Sequence, residues 1–291
     1  MKIVAASCSN IREVDPQAAW SEIRAEHPDV LLLLGDNVYV ERDDHSDAAA
    51  LAQELRSLYA RQFAERGFSD LLADLRLRGA HIVAIYDDHD FIGDNRCGGD
   101  YPPALRQAAR AEFANAFATV TTGAEVYRIH RVGDVDLVVL DERFYRTSPA
   151  ISGNDRNAIL GGVQWAWFEG LVTRSTAKYL LVASSTTLHS FSDQSWEQYP
   201  AAFARMTGLL RGRAGALVVS GDAHRNAVYD ESGVIEIVTS AVAQRSRAFG
   251  CLRQNYGVMT FGPDSLHVEL RSLKVGGRFE FAIPLACWSL P

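Results

Sequence analysis

The chain has 291 residues, 47% of them hydrophobic and 22% charged, with a formal net charge of -7 at pH 7. That is ample for a core, while the lack of any long Lys/Arg run argues against a duplex-binding surface and every apolar run is too short to span a membrane. The four cysteines (Cys8, Cys97, Cys251, Cys287) are too scattered for a zinc finger or disulfide framework, and no leader-like pattern opens the chain, so the cytoplasm is the expected compartment.

In chain order, Lys2–Ala6 reads as a buried strand, followed by a helix over Pro16–His27 with Asp15 as its N-cap and Pro16 at its first position. Val30–Leu34 is a second apolar strand, Asp47–Arg66 a helix, and His81–Tyr86 a third strand. Ala104–Phe117 is helical, Val135–Leu140 a strand, Gly162–Thr173 a helix, Tyr179–Ala183 a strand, Ala201–Arg211 a helix and Ala216–Val219 a strand. These strands are apolar with little alternation, the pattern of strands covered on both faces. The remainder is strand-rich, with Val234–Thr239, Tyr256–Phe261, Leu266–Ser272 and Phe279–Pro284 separated by turn residues. No linker or repeat divides the chain, so the pattern predicts one domain over 1–291, with two packed sheets and helices outside them.

Chemistry gathers at the strand ends, where ligand sites of α/β sheets lie. The first strand runs into Ser7-Cys8-Ser9-Asn10, the second into Gly35-Asp36-Asn37-Val38-Tyr39, and the third into Asp87-Asp88-His89-Asp90. Val135–Leu140 ends in Asp141-Glu142-Arg143, and Ala216–Val219 in Ser220-Gly221-Asp222-Ala223-His224. Each has a plain reading alone: Asp after Gly caps a turn, Tyr39 packs, and Cys8 is a small buried hydrophobe. Three carboxylates around one imidazole repel one another unless a cation neutralises them. Carboxylates with a phenolate and a thiolate suit ferric iron, and further carboxylate oxygen suits a divalent partner. Arg143 would contact a phosphate oxygen, and His89 would protonate a leaving alkoxide.

In family order, the chain carries Ser-Cys after the first strand, Leu-Gly-Asp-Asn-Val-Tyr at 34–39 and Tyr-Asp-Asp-His-Asp at 86–90. Leu-Asp-Glu-Arg-Phe-Tyr-Arg at 140–146, Leu-Gly-Gly-Val-Gln-Trp-Ala-Trp at 160–167, Ser184-Ser185, Trp-Glu-Gln-Tyr-Pro at 196–200 and Ser-Gly-Asp-Ala-His at 220–224 follow. This ordered set resembles the alkaline phosphatase D (PhoD-like) family of metallophosphoesterases, in its compact single-domain form. The resemblance implies a four-layer α/β/β/α sandwich of the calcineurin-like metallophosphatase type. It implies Fe(3+) with Ca(2+), and hydrolysis of phosphate mono- or diesters by a metal-bound hydroxide. The metal ligands it implies are Cys8, Asp36, Tyr39, Asp88, Asp222 and His224, with Ser184 or Ser185 near a histidine ligand of ordinary metallophosphatases. Tyr86 and Asp90 depart from the Trp and Glu usual in the family.

Other readings remain open at this level. Cys8 could act as a nucleophile activated by His89 or His224, although surrounding carboxylates would suppress its thiolate. A metal-loaded module that binds a phosphorylated ligand without turnover is a further alternative. The expected partner is a small phosphoester, a diester at least as good as a monoester, because Arg143 and Arg225 are the few basic residues near the acidic set. Trp165 and Trp167 read as core, while Trp196 and Tyr199 could pack or line the pocket mouth. His45, His130, His189 and His267 read as structural or surface, and Arg245 and Arg247 around Ser246 could extend phosphate binding.

Overall fold

The computed structural model describes residues 1–41, 47–117, 126–189, 194–230, 232–245, 252–273 and 277–284. The first half runs β1 (Lys2–Ala6), α1 (Ala19–Ala25), β2 (Val30–Leu34), α2 (Ala48–Ala64), α3 (Arg66–Arg78), β3 (His81–Ile85), α4 (Pro103–Ala116). Then come β4 (Arg128–Val132), β5 (Val135–Val139), α5 (Pro149–Ser152), α6 (Gly161–Arg174), β6 (Tyr179–Ser184), α7 (Pro200–Arg211) and β7 (Ala216–Ser220). The chain finishes through β8 (Ala227–Tyr229), β9 (Ile235–Val238), β10 (Gln244–Arg245), β11 (Leu252–Arg253), β12 (Asn255–Phe261), β13 (Ser265–Ser272) and β14 (Gly277–Pro284).

Two six-stranded sheets form, ordered β14-β13-β12-β1-β2-β3 and β4-β5-β6-β7-β9-β8. β1, β2 and β3 run parallel, as do β5, β6, β7 and β9, while β12 is antiparallel to β1. Successive residues of a strand face opposite sides, and here both sides are apolar. Ile3, Ala5, Leu32 and Leu34 meet Leu137, Val139, Leu181 and Val219 between the sheets. Val4, Ala6, Leu31 and Leu33 turn outward to Trp20, Leu55, Leu71 and Phe113 of the helices. On the far side Val138, Leu180, Val182 and Val218 pack on Trp165, Phe168 and Met206. The result is the four-layer α/β/β/α sandwich, each buried Leu, Val or Phe side chain contributing roughly 1.5–3 kcal/mol. Among the described residues no helix is long and apolar enough to cross a membrane.

Several elements differ from the sequence pattern. α1 begins at Ala19 rather than Pro16, because Gln17 is drawn into the core: its Nε2 donates to Gln62 Oε1 at 3.2 Å and its Oε1 accepts from Trp20 Nε1 at 2.6 Å. The expected helix over Asp47–Arg66 does start at its cap, since Asp47 accepts from the backbone N–H of Ala49 and Ala50. It stops at Glu65, which leaves helical geometry and uses its carboxylate to cap a further helix, α3, through the Phe68 N–H at 2.7 Å. β4 and β8 are short, half-buried edge strands that carry no apolar run to announce them.

Candidate metal centre

The parallel strands deliver their carboxyl ends to one place. β1 leads to Cys8, β2 to Asp36 and Tyr39, β3 to Asp87, Asp88 and His89, and β7 to Asp222 and His224. Four of these residues hold left-handed backbone: Cys8 (φ 58), Asp36 (φ 52), Asp222 (φ 60) and His224 (φ 51). Such conformations persist in non-glycine residues only when the surroundings enforce them, and they cluster at functional sites. Gly35 (φ +93) lets the β2 and β3 ends meet; a Cβ there would stand 2.6 Å from Asp87 Cβ.

The ligating atoms fall into three groups, each with all its atoms within 4.8 Å of one another: Cys8, Asp36 and His224; Asp36, Asp88 and His89; Asp36, Asp87 and Asp222. Asp36 belongs to all three. Tyr39 OH donates to Asp36 Oδ2 at 3.0 Å, and Cys8 Sγ donates to the same oxygen at 3.5 Å. The six positions named from the sequence are therefore brought together, and His89 and Asp87 lie among them. Asp87 is not in the ligand set that the resemblance implies, yet its carboxylate lies within 4.8 Å of Asp36 and Asp222.

Electrostatics show what this arrangement lacks. Burial and the neighbouring Asp88 push the Asp36 carboxyl well above its usual range. Asp222 is partly exposed at the mouth, yet lost hydration followed by Asp87 and Asp88 raises it to about 7. Burial and Asp36 also push up the Cys8 thiol and the Tyr39 phenol. Burial acts against Asp88, but Arg143, His89 and the Asn95 N–H outweigh it and hold this carboxyl below its ordinary value. Burial likewise acts against the His89 imidazolium, which Asp88, Asp36 and Asp94 nevertheless carry to about 10. Asp87 Oδ2 and Asp88 Oδ1 are buried with no hydrogen-bond partner. A buried anionic oxygen without a donor is costly unless a cation meets it. The donor set and these two oxygens fit bound metal.

Other strand-end residues brace the site. Asp90 accepts from Val38 N (3.1 Å), Tyr59 OH (3.1 Å), Asn37 Nδ2 (3.2 Å) and Asp87 N (3.0 Å), so it ties the β2 and β3 ends together. Asp141 accepts Tyr86 OH at 2.5 Å and the Arg143 and Phe144 N–H groups at 3.2 and 3.0 Å. Arg143 is 0% exposed; its Nε donates to Asp87 Oδ1 at 2.5 Å and its Nη1 to Gln194 Oε1 at 3.1 Å, while Nη2 makes no hydrogen bond and stands 3.8 Å from Asp88 Oδ1 as an ion pair. Burial raises Glu142 to about 7, and its carboxylate accepts the Thr186 N–H.

The loop after β6 supplies contacts that the sequence reading gave only as a serine pair: Ser185 Oγ donates to Asp87 Oδ1 at 2.7 Å and Thr186 Oγ1 to Asp222 Oδ2 at 3.4 Å. Trp165, Trp196 and Tyr199 are core residues, and Arg146 lies buried with Nε donating to Tyr199 OH at 3.0 Å. Trp167 is only partly buried against that core. Arg225 and Arg245 are exposed. His45, Ser246, Arg247, Cys251 and Cys287 lie outside the described residues.

Residues 3–252 match the family described as PhoD-like phosphatase. The solved structure of PhoD is similar at TM-score 0.73 and 18% identity, covering 98% of this chain and 68% of that one. GAP50, the anchor in the inner membrane complex of Plasmodium, is similar at TM-score 0.56 and 11% identity, covering 97% of this chain and 88% of its own. At these identities the likeness is one of fold. No curated protein sequence matches the chain.

Proposed function

The chain belongs to the PhoD-like phosphatase family, and on that premise we propose that it hydrolyses small phosphate esters at a two-cation centre shared through Asp36. One observation carries the reading: ligand atoms from both sheets meet in three groups, each within 4.8 Å and each containing Asp36. Residues 1–291 are taken as one catalytic domain.

Cys8, Tyr39, Asp36 and His224 would hold Fe(3+), because thiolate and phenolate suit a highly charged ion. Asp36, Asp88 and Asp222, with Asp87 grouped beside Asp36 and Asp222, would hold Ca(2+), because their donors are all oxygen. When bound, the pair supplies Lewis acidity to the phosphoryl group and to water. His89 holds a proton at Nε2, 3.5 Å from Asp94 Oδ1, and delivers it to the leaving oxygen. Arg143 spends two donors on Asp87 and Gln194, and its Nη2, 3.8 Å from Asp88 Oδ1 and without a hydrogen bond, would donate to a phosphate oxygen. One guanidinium nitrogen without a hydrogen bond suits a singly charged diester at least as well as a dianionic monoester.

Elemental analysis of gently purified protein, paired with kcat/KM for matched aryl mono- and diesters, tests this. Iron together with diester turnover is expected. Full activity with zinc or with no metal refutes the iron assignment. A monoester preference above about tenfold, or ~1.4 kcal/mol in the transition state, refutes the diester reading.

A further inference from the structure

β9 places a carboxylate where its neighbours are hydrocarbon. Ile237 faces the core between the sheets, so Glu236 turns to the opposite face, where its β7 partner Val218 packs with Leu180, Val182 and Leu188. Glu236 is 0% exposed. A carboxylate in such a place persists only with a full set of donors. Oε1 accepts from Leu188 N at 2.7 Å and Ser220 Oγ at 2.6 Å. Oε2 accepts from His189 N at 3.3 Å and pairs with His189 Nδ1 at 2.7 Å.

These donors belong to the two segments that shape one side of the metal centre. Ser220 directly precedes Gly221 and Asp222. Leu188 and His189 close the loop whose Ser185 donates to Asp87 and whose Thr186 donates to Asp222. Gly221 allows no slack, since a Cβ there would stand 2.9 Å from both Leu34 O and Ser7 Cβ. We propose that Glu236 is a positioning residue: by clamping the β6 loop to the end of β7, it fixes Asp222, a member of the oxygen-only cation position, and its neighbour Asp87, whose ligating atoms lie within 4.8 Å of one another. This rests on the metal-centre reading above. The group must be a carboxylate, because the single oxygen of glutamine cannot face both backbone N–H groups, and its amide would oppose one of them.

The test is isothermal titration of metal-free protein with Mn2+ alone, for wild type and Glu236→Gln, with circular dichroism to establish folding. The variant should stay folded and bind Mn2+ ~10–100-fold more weakly at one position, the usual effect of losing a group that orients ligands. A folded variant that binds Mn2+ like wild type overturns the proposal, whatever its Tm, because a purely structural carboxylate would move Tm alone. Should Glu236→Gln not fold, Ser220→Ala removes one donor and keeps the charge. It should weaken Mn2+ ~3-fold, about one net hydrogen bond, and unchanged binding again overturns the clamp. Failure of the metal reading itself is distinguishable, since wild-type protein would then take up no Mn2+.

Discussion

Replacing Asp90 with Asn separates a brace from a ligand. The carboxylate takes two donors on each oxygen, Val38 N and Tyr59 OH on Oδ1, Asn37 Nδ2 and Asp87 N on Oδ2. Asparagine keeps one acceptor oxygen. Turned one way, its amide opposes Val38 N–H, while Tyr59 can rotate its hydroxyl to accept. Turned the other, it opposes Asp87 N–H. Either way one buried backbone donor is stranded, at about 1–3 kcal/mol. Neutralising Asp90 also relieves part of the repulsion that raises Asp36, so the metal-free protein should sit at the lower end. For a chain of this size roughly 2–4 °C accompanies each kcal/mol, so the lower end, about 1–2 kcal/mol, gives a fall in Tm of about 2–8 °C. No Asp90 oxygen belongs to the three ligand groups, so metal content should not change. Thermal unfolding of chelated and metal-loaded protein, with elemental analysis, measures both quantities. Tyr59→Phe removes one of the same hydrogen bonds, and the double variant should be less than additive. An unchanged Tm, or metal lost at an unchanged Tm, refutes the brace.

Asp88→Asn and Asp222→Asn should lose metal together with turnover, because each removes an anion that balances the cations; full metal content in either removes it from the ligand set. His89→Asn should keep metal and lose ~10²–10⁴-fold in rate on poor leaving groups, less on activated aryl esters. Loss of metal would make His89 a ligand, as its place beside Asp36 and Asp88 also permits. Tyr39→Phe should abolish phenolate-to-iron absorption in the visible, and an unaltered spectrum and iron content would place Tyr39 outside the shell. Gly35→Ala puts a methyl 2.6 Å from Asp87 Cβ at φ +93 and should cost roughly 1–3 kcal/mol or more in a urea titration; a wild-type midpoint contradicts the close approach.

The layered core was legible because Val30–Leu34, Tyr179–Ala183 and Ala216–Val219 are apolar at every position, and only strands covered on both faces can use such runs. α3 was missed for a local reason: the break falls at Glu65 and Gly67 lies inside the first turn of the new helix, where the Glu65 side chain both caps that helix and accepts the Gln17 N–H at 3.3 Å. A capping glutamate of that kind looks like any helical glutamate in sequence. β4 escaped because Arg128, His130 and Arg131 are half-buried or exposed on an edge strand, held by pairing to β5 rather than by their own hydrophobicity.

At the site the sequence showed which residue types end the strands but not which of them turn inward. Asp87, Asp88 and Asp90 look equivalent in a row of acids, yet Asp90 is consumed by four donors while Asp87 and Asp88 each keep a buried oxygen without one. That difference depends on Val38, Asn37 and Tyr59, which come from elsewhere in the chain. The left-handed turns were equally hidden. Asp tolerates such a backbone because its short side chain can bond locally, whereas Cys8 has no comparable compensation. Cys8 is held at φ 58 by tertiary bonds instead: its N–H donates to Gly35 O at 3.2 Å and its carbonyl accepts from Ala243 N at 3.2 Å. Glycine would relieve that strain, but it would remove the sulfur. A thiol kept in an unfavourable conformation, beside a shared carboxylate that raises its pKa further, gains nothing from packing that a smaller residue would not also supply. In the proposed centre, such a sulfur would supply a bond to a cation.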